Sequence, residues 1–241
     1  MSKVLTVCPI MDGSGGKFVS ANLAHHLKQE TKQSVALVDF NFKHPYLGKD
    51  LTDDTIHGID NLLDKIDGDG LTPELFKENM VTLRNGVDLL QGTNLIGKHH
   101  LFQAPHIFAM LEQLKALYDY VVVAVSPQAD NAGTIYGVSE ADQLILVGRE
   151  TVANVATFNR TYQMLSQYKK QTTDVAFVYN MKSAPKGLSE YIQDYNLTVL
   201  GLVDYDEQAI DNRDLVESKA KLFKSKSKNH NVFTSMVTKV R

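Results

Sequence analysis

The residues best suited to chemistry in this 241-residue chain are Gly13, Ser14, Gly15, Gly16, Lys17 and Phe18, which join an apolar run to a helical one. Val4 to Cys8 reads as a buried strand, and Val19, Leu23 and Leu27 recur at helical spacing. A strand, a glycine-rich turn and a helix together make a seat for phosphate. The glycines let the backbone come close, successive N–H groups turn inward, and the helix start adds the positive end of its dipole. Three glycines between residues 13 and 16 also make an ordinary tight turn, so their place between strand and helix carries the phosphate reading. Two further polar residues close apolar runs: Asp39 near the end of SVALVDF (34–40) and Asn180 at the end of VAFVYN (175–180). Ligands approach open α/β sheets at such strand ends. A plain loop aspartate and a turn-capping asparagine are the alternatives.

Other reactive residues lack context. The histidine pairs His25-His26 and His99-His100 have no carboxylate or cysteine at ligand spacing, so surface positions and no metal site are expected. No Ser-His-Asp, Cys-His or paired-carboxylate arrangement stands out.

The elements that must position the loop alternate along the chain. After SVALVDF, a short helix around Ile59, Leu62, Leu63 and Ile66 closes at Gly68 to Gly70. Thr72 before Pro73 reads as an N-cap, and Gly86 leads into VDLLQG. Ile107, Met110, Leu111, Leu114 and Leu117 mark a helix running into YVVVAV (120–125). QLILV (143–147) precedes a helix with Val152, Val155, Phe158, Tyr162 and Leu165. VAFVYN, a helix near 189–195, LTVLGLV (197–203) and a last helix, Val232 to Val240, complete the order. About seven short apolar strands alternating with helices predict one mostly parallel sheet with helices on both faces. The whole of 1–241 reads as one α/β domain, with a short basic segment and the C-terminal helix at 219–241.

Composition narrows the function classes. The chain is 43% hydrophobic and 22% charged, with net charge −3, so nothing draws it generally to nucleic acid. The single cysteine, Cys8, lies in the first strand and fits a reducing cytoplasm. No secretory pattern precedes that strand and no apolar run is long enough to span a bilayer, so a soluble protein is expected. Lys219, Lys221, Lys224, Lys226 and Lys228 could contact DNA or an anionic membrane, or form a solvated face. Phe233, Met236, Val237 and Val240 share one face of the last helix, and docking on the domain's own sheet is preferred over membrane anchoring.

Four segments resemble the MinD/ParA superfamily of P-loop ATPases with a deviant Walker motif, and the likeness runs over nearly the whole chain. MDGSGGKF followed by Asn22-Leu23-Ala24 is similar to the family's KGGVGK[ST] loop and the NLA run beyond it. VALVDFNF resembles its strand ending in an aspartate that faces phosphate and metal. YDYVVVAVSPQAD is similar to its Walker B strand, and ADQLILVGRETVANV with AFVYN resembles two later strands, the last ending in an asparagine that reads adenine. LGLVDYDEQAI is similar to its GxIPxD turn, with Asp204 for proline. Aligned without gaps, Met11 falls on the family's signature lysine, Gly16 on its phosphate-binding lysine and Lys17 on the hydroxyl that ligates magnesium. A rival register places Lys17 on the phosphate lysine, but it needs an insertion and a deletion and puts Phe18 where a hydroxyl belongs. The Walker B aspartate becomes Ala124, and Asp39 has Asn41 two residues on.

The resemblance implies a three-layer P-loop NTPase-like fold. The cradle would be Gly13, Ser14, Gly15, Gly16, Lys17 and Phe18, with Asn180 for the base and Asp39 for any remaining catalysis. ATP or ADP is the implied ligand, and magnesium is left without its usual ligands. Hydrolysis should then be weak or absent, because positioning and electrostatics supply most of phosphoryl-transfer catalysis. In one version the Lys17 ammonium takes the vacated magnesium position near Asp39; in another it is a solvated lysine at a helix start. The implied role is that of a TadZ/CpaE-type localisation or scaffold factor for a cell-envelope, secretion or pilus assembly. Such a protein would be cytoplasmic or peripheral to the inner membrane face, homodimeric, and would act through protein partners. Two alternatives are a capsule-type tyrosine-kinase-like protein, suggested by DFNFKHPYLG, and a plasmid or chromosome partition ATPase binding nonspecific DNA through the lysines.

Overall fold

The apolar runs form a sheet because each is buried on both faces. In β1 (Lys3–Pro9), Val4 and Cys8 face one core cluster while Leu5 and Val7 face the other. β2 (Val35–Phe40), β5 (Tyr120–Val125) and β6 (Gln143–Gly148) alternate in the same way and are buried throughout. This two-sided burial explains why they read as near-continuous apolar stretches. β3 (Val81–Thr82), β4 (Asp88–Leu90), β7 (Asp174–Lys182) and β8 (Thr198–Asp204) extend the sheet. The computed structural model describes residues 2–68, 70–95, 97, 99–182, 192, 194–205 and 229–240. Its eight strands lie in the order β3-β4-β2-β5-β1-β6-β7-β8. All pairings are parallel except that of β3 with β4. The strand that sequence patterning misses is β3, whose two residues are too few to show a period.

Helices cover both faces. α1 (Gly16–Thr31) and α2 (Leu47–Leu51) contribute to one core. α5 (Ala104–Leu117), α6 (Ala132–Ser139) and α7 (Val152–Ser166) contribute to the other. The helix expected around Ile59 is a 3₁₀ turn, Ile59–Leu62, continued by α3 (Leu63–Asp67). α4 (Pro73–Glu78) starts as expected, the Thr72 hydroxyl accepting the Leu75 N–H at 3.2 Å. The short α6 is not foreseen, since Gly133 and Gly137 look like breakers. They serve close packing instead: a Cβ on Gly133 would come 2.5 Å from the Phe40 carbonyl, and one on Gly137 2.9 Å from Val125. Of the helix expected near 189–195 only residues 192, 194 and 195 are described, and Lys219, Lys221, Lys224, Lys226 and Lys228 lie outside the described residues.

The final helix, α8 (His230–Val240), folds back on the domain. Phe233, Met236, Val237 and Val240 are buried against α1 and β8, each burial stabilising by about 1.5–3 kcal/mol. Gly201 in β8 permits the approach, since a Cβ there would meet Met236 Cε at 2.3 Å. The Lys239 ammonium donates to the Val199 and Leu200 carbonyls at 3.2 and 2.8 Å. This second cover over α1 overturns the surface placement of one histidine pair: every residue from Val19 to Leu27 is buried, His25 and His26 included. His26 packs between His25, His230 and Phe233 with ring centroids 5.1, 4.9 and 5.6 Å away. His106 is buried too, its Nε2 2.8 Å from the Asp67 carboxylate. Among the described residues, no helix is long and apolar enough to cross a membrane.

Candidate functional site

The glycine-rich loop leaves the carboxyl end of β1, between β5 and β6. Ile10 still donates to the Val147 carbonyl at 2.8 Å, and a turn closed by Ser14 N–H on the Met11 carbonyl at 3.1 Å follows. Gly13 and Gly15 have φ of +80° and +94°, a left-handed backbone that glycine adopts without steric cost. Gly15 caps α1 without a side-chain acceptor, so the first N–H groups of the helix stay unclaimed. Val19 N–H reaches the Gly15 carbonyl at 3.0 Å. Among the described residues, no protein acceptor receives the N–H groups of Gly13, Gly15, Gly16, Lys17 or Phe18. A Cβ on Gly13 would meet nothing within 4 Å. The loop therefore carries unclaimed donors with open space over Gly13, an arrangement that suits an oxyanion.

The loop is fixed from behind by buried polar groups. Ser14 Oγ donates to Asn154 Oδ1 at 2.9 Å, and that oxygen also accepts the Arg149 N–H at 2.9 Å. Asn180 Nδ2 donates to the Ser14 carbonyl at 2.9 Å and lies over Gly15. Asn180 thus meets the loop, its amide bracing the Ser14 backbone. Sequence reading misses Asn154. Its signal is a polar residue beside the apolar stripe of Val155 and Phe158, three positions after the Thr151 cap.

Asp39 and Lys17 are placed differently from the expectation that pairs them. Asp39 is fully buried, and its two oxygens accept the Asn41 and Leu47 N–H groups at 3.0 and 2.9 Å. Burial pushes its pKa up to about 7, partly opposed by those two amides and by the charge of Lys17. The Lys17 ammonium lies 3.6 Å from the Asp50 carboxylate and 5.1 Å from the centre of the Tyr46 ring. It acts on Asp39 only as a nearby charge, because α2 offers it a half-exposed partner at lower desolvation cost. Ala124 stands beside Asp39 and Val7 in the strand register, its methyl in the α1-side core.

The rim joins three loops. Asp12 accepts from Gln128 Nε2 at 3.3 Å and lies 4.0 Å from His44 Nε2. Lys43 pairs with Asp130 at 2.7 Å. The glycine-rich loop thereby touches the loops that follow β2 and β5. None of these rim residues has a sequence signal, being exposed polar residues in irregular segments. Among the described residues, no cluster of three or more His, Cys, Asp or Glu side chains is arranged to hold a metal ion. Cys8 is buried, its thiol pushed well above the usual range by desolvation, which makes it a poor nucleophile.

A mostly parallel sheet sandwiched by helices, with its central strand running through a glycine-rich loop into α1, is the three-layer architecture of P-loop ATPases. Within that class the fold is that of the MinD/ParA proteins. The chain superposes on a ParA family ATPase from Chlorobium tepidum TLS with TM-score 0.85 and 17% identity, covering 99% of each chain. It matches a chain of the MinC:MinD cell division protein complex of Aquifex aeolicus with TM-score 0.79 and 15% identity, over 99% of this chain and 96% of the other. The septum site-determining protein MinD of Pyrococcus horikoshii OT3, complexed with Mg-ADP, gives TM-score 0.75 and 17% identity over 100% and 96%. At these identities the likeness is one of fold. No protein-family model matches the sequence, and no curated protein does.

Proposed function

We propose that this chain is a MinD/ParA-like localisation or scaffold factor that binds nucleotide without turning it over efficiently. The observation that carries the reading is a division within the site. The unclaimed amides of Gly13 to Phe18 and the open space over Gly13 suit the phosphates of ATP or ADP. The groups that would hold a metal are missing: Gly16 and Lys17 offer no hydroxyl, Ala124 offers a methyl, and both oxygens of Asp39 already accept backbone N–H groups. That donor set does not fit a magnesium shell, so the nucleotide is held by backbone amides and the helix dipole.

Without charge-neutralising groups around the transferring phosphoryl, hydrolysis loses its main source of rate. The protein then acts as a homodimeric platform for protein partners of an envelope-associated assembly, in the manner of TadZ/CpaE-type proteins, in the cytoplasm or at the inner membrane face. Phosphate release from magnesium ATP, measured for wild type and Asp39→Asn, tests the reading. The expected result is release at the no-enzyme background for both, alongside measurable nucleotide binding in chelator. Magnesium-driven turnover abolished by Asp39→Asn would refute it.

A further inference from the structure

The two sides of the phosphate loop are held by different means. Up to Gly15 the backbone is fixed from behind, by Asn154 through Ser14 and by Asn180 on the Ser14 carbonyl. From Gly16 on, α1 begins on two glycines with no side-chain cap, a start that leaves its first turn prone to fray. That turn carries the N–H groups of Gly16, Lys17 and Phe18. The Phe18 ring meets the Phe233 ring of α8 edge-on, with centroids 5.9 Å apart and planes at 64°. Phe233 is fully buried and also stacks on His26, at 5.6 Å and 21°. Phe18, Asn22 and His26 follow one another at four-residue steps, a single stripe along α1. Asn22 Nδ2 donates to the Phe18 carbonyl at 2.8 Å, and His26 Nδ1 lies 3.3 Å from Thr234 Oγ1. The grip of α8 on α1 therefore extends to the last residue of the cradle.

We propose that α8 is a working part of the phosphate seat, with Phe233 as the positioning residue that holds Phe18 and, through it, the first turn of α1. The inference rests on the nucleotide-binding reading above and names the element that supports that site. Ordering the turn beforehand spares a bound phosphate the entropy loss of doing so. By reciprocity, a filled cradle holds α8 down by the same factor by which docked α8 improves binding. An edge-to-face ring pair supports a factor of about two to ten. Amide hydrogen exchange of the full wild-type chain, with and without saturating ADP or ATP in EDTA, reads the coupling without any substitution. Protection across α8 should rise about two- to ten-fold when the cradle is filled. Calorimetry supplies the reverse arm: Phe18→Ala and Phe233→Leu should each weaken nucleotide by about that factor, and the double variant no further than the worse single. Lys239→Met removes the bonds from α8 to the Val199 and Leu200 carbonyls of β8. It should lower stability while leaving affinity within about two-fold, since it loosens α8 on β8 and not on α1. A merely structural contact at Phe233 would move the urea midpoint alone. Nucleotide that binds without raising α8 protection, or that binds Phe233→Leu as tightly as wild type, would overturn the inference and leave the nucleotide reading standing. If wild type bound neither ADP nor ATP, the nucleotide reading itself would fall, and the inference with it.

Discussion

Replacing Gly15 by alanine tests whether the phosphate loop is held in shape by Asn180. Two separable costs follow from the structure. Gly15 has φ +94° and ψ 24°, and alanine in that left-handed region costs about 1–2 kcal/mol. The new Cβ would also fall 1.9 Å from Asn180 Nδ2 and 3.0 Å from its Cγ, so the amide must leave. Its 2.9 Å bond to the Ser14 carbonyl then breaks between two residues that are 2% and 0% exposed. An orphaned buried acceptor costs about 1–3 kcal/mol, giving about 2–5 kcal/mol in all. Gly13→Ala is the internal control: its φ is +80° but its Cβ would meet nothing, so only the backbone cost of about 1–2 kcal/mol applies. Urea unfolding followed by far-UV circular dichroism suits a chain without tryptophan, with unchanged slope confirming comparable unfolded states. Asn180→Ala closes the cycle: costly in wild type, it should cost almost nothing in the Gly15→Ala background. Equal destabilisation by the two glycine substitutions, or additivity of Gly15→Ala with Asn180→Ala, would refute the brace.

Two buried groups should give opposite pH dependences. Asp39 has a folded pKa of about 7 against an ordinary 3.8. Between those values the native state keeps a proton that the unfolded state has released, so Asp39 makes stability fall as pH rises, by up to about 4 kcal/mol. Denaturation across this window should show the falling component vanish in Asp39→Asn, and an unchanged profile would refute the assignment. His26 is shifted down from 6.5 to about 4, chiefly by burial and then by His25 and His230. The unfolded state gains its proton first, so stability is lost as pH falls from 6.5 toward 4, by up to about 3 kcal/mol. His26→Leu should remove that loss, with helix α8 in wild type losing amide-exchange protection, relative to intrinsic rates, at the acid end; equal acid sensitivity in both proteins would count against it.

Much of this protein is legible in one dimension because its physics is local. Near-continuous apolar runs announce doubly covered strands, as in Val35–Phe40 and Tyr120–Val125. Thr72-Pro73 announces a helix start, and the glycines at 13, 15 and 16 announce a backbone that must turn tightly under a helix. The spacing of Phe233, Met236, Val237 and Val240 announces an apolar face, and its docking on the domain follows from the cost of leaving that face in water. What the tertiary structure decided depends on neighbours far away in sequence. His25 and His26 are buried because a helix some two hundred residues later closes over them. Asn154 matters because α7 carries it to Ser14. Lys17 turns to Asp50 instead of Asp39, and Asp12 joins the loops after β2 and β5, because chain topology sets which charges meet. Strand and helix patterns are repeated many times along a chain and so can be read from it; a single ion pair or hydrogen bond between distant loops leaves no periodicity, and only the folded chain brings its partners together.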